Sequence, residues 1–118
     1  MTLDEFFEGH NESRRLFEAV RDAIDTVGPA ERQITKSQIA FGRSSWFAFV
    51  WMPDVYLGST NVPLVLTVGL PRRDDSPRWK QVVEPAPGRF THHLELRRVS
   101  EVDAEVVAWL REAWEAAE

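Results

Sequence analysis

Between Gln33 and Arg97 the chain stops spacing its apolar residues by three and four and begins to alternate them by two. The stretch Phe90–Arg97 shows the alternation most cleanly. Phe90, His92, Leu94 and Leu96 fall in one row, and Thr91, His93, Glu95 and Arg97 in the other, so a strand here has an apolar face and a polar one. Runs rich in β-branched and aromatic residues at 33–41, 45–52, 63–70, 79–84 and 90–97 predict four to five strands. Arg43–Ser45 is short enough for a hairpin, whereas 53–63, 71–78 and 84–89 are breaks marked by Pro and Gly. Short links with no intervening helix favour antiparallel pairing.

Helical spacing frames this central block. Thr2 and Glu5 have capping-box spacing for a short helix that runs through Phe6 and Phe7 and stops at Gly9. From Asn11 to Val27, Leu16, Phe17, Val20, Ile24 and Val27 form one apolar stripe, which Gly28 and Pro29 end. Ser100 and Asp103 have capping-box spacing for the last helix, where Val102, Val106, Trp109, Leu110, Ala113 and Trp114 make the stripe. The expected fold is α+β: an antiparallel sheet of four to five strands with the N-terminal and C-terminal helices packed on one face. At 118 residues, the chain is read as a single domain over 1–118.

Composition removes several functions. With no cysteine there is no disulfide framework, thiolate metal site or cysteine nucleophile. A net charge of −5 argues against nucleic acid. No apolar run approaches membrane-spanning length, and the acidic start is unlike a secretory signal, so a cytoplasmic protein is expected. The charge is uneven, however: residues 72–98 hold seven Arg or Lys against four Asp or Glu. That asymmetry suits an anion-facing surface.

The candidate ligand-binding residues follow from this pattern. His92 belongs to the apolar row and is expected as a hydrogen-bonded core histidine. His93 and Glu95 belong to the polar row. Lys36 and Gln38 stand mid-strand in 33–41, and if Lys36, Gln38, His93 and Glu95 share a face they can line a shallow polar site with Trp46 or Trp51 as an aromatic wall. Arg73 and Arg78, in the loop Gly69–Lys80, are candidate anion ligands, although Asp74 and Asp75 offset them. No metal-ligand spacing is present and no cofactor is expected. Two enzymatic patterns are faint. Pro53–Asp54 with Glu95–Arg97 echoes an acidic nuclease but has arginine where lysine belongs, and Ser37 or Ser45 with His93 lacks a nucleophile elbow.

The chain resembles a bacterial and archaeal family of small domains, domain of unknown function 5655. The likeness lies in Phe6–Phe7, the helix around Leu16 and Phe17 ending at Gly28–Pro29, the block Thr35–Phe41, the segment Ser76–Lys80, the run His92–Leu96, and the last helix with Asp103, Trp109 and Leu110. It implies a compact domain that stands alone or joins larger proteins, with no established activity and no catalytic set to carry over. The expected function is a non-catalytic module that binds a small anionic ligand or a protein partner. A metal-assisted or His-dependent hydrolase is one alternative, and a homodimer that uses the abundant tryptophan is another.

Overall fold

The structure is a computed structural model that describes residues 1–57 and 61–118. Its elements run α1 (Leu3–Phe6), α2 (Asn11–Val27), β1 (Glu31–Ile34), β2 (Ile39–Gly42), β3 (Trp46–Trp51), α3 (Pro53–Leu57), β4 (Leu64–Leu70), β5 (Gln81–Ala86), β6 (Arg89–Leu96) and α4 (Ala104–Ala116). The strands form one antiparallel sheet in the order β1-β2-β3-β4-β6-β5. The architecture is the expected α+β one, with six strands instead of four to five.

The additional strand arises inside 33–41, which is a hairpin and not one strand. Thr35 causes the break. Its backbone N–H donates to Gln38 O at 3.0 Å, and its hydroxyl accepts from the N–H groups of Ser37 and Gln38, each at 3.3 Å. This local turn competes with the ladder and wins at a residue whose side chain can cap its own loop. At the other edge, β5 runs two residues past Glu84 to Ala86, so the expected break at 84–89 narrows to the turn Pro87–Gly88. Proline fixes the first φ and Gly88 takes the second at 76°, the combination of a type II turn. Pro85 also blunts the free edge of β5, since it lacks an N–H to offer another strand. The segment 53–63 opens with α3, and its middle, 58–60, lies outside the described residues.

Packing follows the alternation. Ile39, Val50, Leu66 and Leu94 lie in register across the sheet, as do Phe41, Ala48, Val68 and His92, and every one of them is buried. α2 and α4 pack on this face, where the ring of Phe17 stacks on Phe41 at 6.1 Å. Full burial of side chains such as Phe17, Leu66 and Leu110 stabilises the fold by ~1.5–3 kcal/mol each. Helix ends match the sequence reading with two exceptions, the first being that α1 ends at Phe6, with Phe7 as its C-cap, instead of running on to Gly9. The Thr2–Glu5 capping box forms, and Asp103 caps α4 by accepting from Val106 N at 3.1 Å. Ser100 takes no part in that cap; it sits in a 3-10 turn over Val99–Glu101. Among the described residues, no helix is long and apolar enough to cross a membrane.

Candidate functional site

The alternate residues of the central strands face away from α2 and α4. Phe49 and Trp51 on β3, Val65, Thr67 and Gly69 on β4, and Arg89, Thr91, His93 and Glu95 on β6 make this helix-free face. His93 lies across from Thr67, and Thr67 across from Phe49. Its ordering comes from one hydroxyl. Trp51 Nε1 donates to Thr67 Oγ1 at 3.2 Å, and Thr67 Oγ1 lies 2.8 Å from His93 Nδ1. Indole nitrogen can only donate, so the arrangement that uses every proton has Thr67 donating to Nδ1. His93 is then the Nε2–H tautomer, with its donor on the side of the ring away from Thr67. The Trp51 ring meets the imidazole edge-on, with centroids 6.5 Å apart at 90°. Burial, aided by the neighbouring His92, lowers the His93 pKa, so the neutral ring is favoured at neutral pH.

His92 has the opposite role. It is 0% exposed, accepts from Asp74 N–H at Nε2 (2.9 Å), and directs Nδ1–H to the carbonyls of Val68 (3.3 Å) and Phe90 (3.2 Å). Burial lowers its pKa as well, against the pull of those carbonyls. Trp79 packs on its ring at 4.9 Å and on Trp109 at 4.1 Å. It is the hydrogen-bonded core histidine that its row predicts.

The structure separates the other sequence candidates. Lys36 and Gln38 lie in the β1–β2 turn, so Lys36 is not mid-strand. β2 and β6 are three strand spacings apart, roughly 14 Å, which keeps Lys36 from joining His93 and Glu95 in one shallow site. Glu95 is on the helix-free face and pairs with Arg97 at 3.5 Å. Arg78 is consumed by α4: Nη1 reaches Asp103 and Glu105 at 3.1 and 2.8 Å, and Nη2 donates to Glu101 O at 2.9 Å. Arg72 likewise forms a bidentate pair with Glu112, 2.8 Å at both contacts. The arginine loop is therefore clamped to the last helix. Arg73 packs over Phe90, 5.6 Å from the ring centre.

Serine chemistry and the nuclease echo are not assembled either. Ser37 and Ser45 lie in turns, and Asp54 lines a hollow with Gly9–Ser13, away from the helix-free face that carries Glu95. Thr67 has the only hydroxyl at hydrogen-bond distance from a histidine among the described residues, but at 5% exposure a substrate cannot reach it. Thr67 was the missed partner of His93. It was legible as the one polar residue in Leu64–Leu70.

Where β3, β4 and β6 end beside the C-terminal end of α4, a cup of about 150 Å³ opens. Its walls include Trp46, Phe47, Phe49, Gly69 and Phe90, with Arg89 on the rim. A second cleft of about 420 Å³ runs along the end of β6 between Arg78, Lys80, Glu95, Arg97 and Glu101, and its charges largely pair with one another or with α4.

No curated protein and no solved structure matches the chain. The model of the family described as Domain of unknown function (DUF5655) matches residues 3–117, nearly the whole chain and all the elements that build this sheet. The chain belongs to the DUF5655 family.

Proposed function

We propose that the domain is a non-catalytic binding module, that the helix-free face of the sheet is its ligand surface, and that its ligand is small and anionic. The preset Nε2–H of His93 carries this reading. Thr67 and Trp51 fix the tautomer from beneath, and half-buried Phe49 and Trp51 supply apolar surface beside the donor. A few placed polar groups on apolar walls are what small-molecule sites consist of. The paired state of Arg72 and Arg78 favours this face over the arginine loop as the anion surface.

A hydrolase is a weaker reading, because the Thr67 hydroxyl is enclosed and already committed to two partners. Homodimerisation through tryptophan is a weaker reading, because only Trp46 and Trp51 offer surface outside the core and its edge. Trp79 and Trp109 are core, and Trp114 donates to Pro29 O at 2.9 Å while Arg43 stacks on it at 3.6 Å.

Thermal unfolding in a panel of small carboxylates and phosphates tests the reading. Ligands present at 100-fold above Kd stabilise by about 2.7 kcal/mol. At least one acid should stabilise the wild type and the Arg78→Ala variant alike, and lose its effect in His93→Ala. Stabilisation that survives His93→Ala and vanishes in Arg78→Ala would return the site to the arginine loop.

A further inference from the structure

We infer that the cup at the end of β3, β4 and β6, beside α4, binds a small monocyclic aromatic carboxylate with Arg89 as its counter-ion; the cup shares Phe49, Gly69 and Thr91 with the helix-free face, and the inference rests on that face being the ligand surface. The size sets the first limit. About 150 Å³ is the scale of an apolar cavity that admits benzene, so the cup has room for one ring. The walls set the second, since Trp46, Phe49 and Phe90 present aromatic surface to whatever enters.

Two glycines make the room. Gly69 leaves the floor bare where β4 passes under the cup. Gly42 lets the Trp46 indole lie across the β2–β3 bulge: a methyl there would stand 2.5 Å from Trp46 Cε3. Trp46 is thus held in place as a wall although it is 42% exposed, an arrangement that costs water contact without serving the core.

Charge sets the third limit. Arg89 is the only charged side chain on the lining among the described residues, and it has no ion pair there, whereas Arg72, Arg78 and Arg97 are each paired. A neutral arene leaves that guanidinium unused and an aromatic cation is repelled by it. A carboxylate meets its planar fork with two parallel hydrogen bonds.

The test is titration of sodium benzoate into the isotope-labelled protein, read by amide and indole chemical shifts, with benzamide as the uncharged twin. Benzoate should shift Gly69, Thr91 and the Trp46 indole N–H saturably, with a Kd of ~1 mM or tighter. Benzamide should bind about tenfold more weakly, and Arg89→Gln should bring benzoate down to the benzamide affinity while leaving benzamide unchanged. Gly69→Ala should weaken both, because its methyl meets only Phe47 O at 3.5 Å and so fills the floor without forcing the fold. Equal affinity for benzoate and benzamide, or benzoate binding that ignores Arg89→Gln, overturns the inference. So does a benzoate titration that moves no cup residue. If benzoate fails while another small acid still shifts His93 and Trp51, this inference falls and the ligand face stands. If no acid shifts either group, both fall.

Discussion

Thr67 Oγ1 stands 2.8 Å from His93 Nδ1 and accepts from Trp51 Nε1 at 3.2 Å, so one buried hydroxyl sets the tautomer of the imidazole and the pose of the indole. Thr67→Val keeps the shape and removes both bonds. Leaving Trp51 N–H and His93 Nδ1 without this partner should cost ~1–3 kcal/mol in urea unfolding. Long-range nitrogen–proton correlation should show His93 as mostly the Nε2–H form in the wild type and as a mixture in the variant. An unchanged tautomer would show that Thr67 does not set it.

Acid should destabilise the fold in two steps. Burial lowers the pKa of both His92 and His93. A histidine depressed in the folded state contributes stability that is full above its unfolded pKa, about 6.5, and is lost as pH falls from there through the folded value. The second step comes from Asp74 and Asp103. Burial opposes their ionisation, but hydrogen bonds outweigh it: from Trp79, Ser76 N–H and Arg72 at Asp74, and from Val106 N–H and Arg78 at Asp103. Their contribution is full above about pH 3.9 and lost below it. Melting temperature followed from pH 8 to 2 should therefore fall first below pH 6.5 and again below 4. Asp74→Asn should flatten the second fall and leave the first in place.

Arg78 joins the 71–80 loop to the start of α4 through Asp103, Glu105 and the Glu101 carbonyl, and its guanidinium lies 5.6 Å over Trp109. Arg78→Ala should cost ~1–2 kcal/mol, more than an ordinary surface pair because it frees a helix cap and an aromatic face together. Arg73→Ala, at a position without those ties, should cost less than half as much. Equal losses in chemical denaturation would contradict the clamp.

Gly28 lies under Trp114, where a methyl would fall 2.5 Å from Trp114 Cζ2. Gly28→Ala must displace the indole and its bond to Pro29 O, with a loss of ~1–3 kcal/mol by overpacking. The fluorescence of Trp114 should change with it. A neutral substitution would mean that the α2–α4 junction has slack the packing does not show.

Much of this was legible in the sequence, for reasons that differ between segments. The helices and the two rows of β6 could be read because their burial is one-sided, and one-sided burial writes its period into the chain. Leu64–Leu70 is buried almost throughout on both faces, so its period vanished and Thr67 hid among apolar neighbours. The hairpin at Thr35–Gln38 was missed because its turn contains neither glycine nor proline and is closed by a threonine side chain. The pairing of Arg72 and Arg78 depends on α4 arriving from forty and twenty-five residues away, a contact that no local spacing encodes. Arg89 stood in the same alternating row as His93, but the cup beside it exists only where β3, β4 and α4 meet.

The central claim is that ligands bind the helix-free face, and amide and indole chemical-shift mapping with the best-stabilising acid of the panel tests it most directly. The account predicts that the largest shifts fall on Trp51 Nε1–H, Thr67, His93 and the neighbouring residues of β3, β4 and β6, with little change at Thr35–Gln38 or Arg72–Arg78. Shifts centred on the arginine loop or the β1–β2 turn, with His93 and Trp51 unmoved, would contradict it.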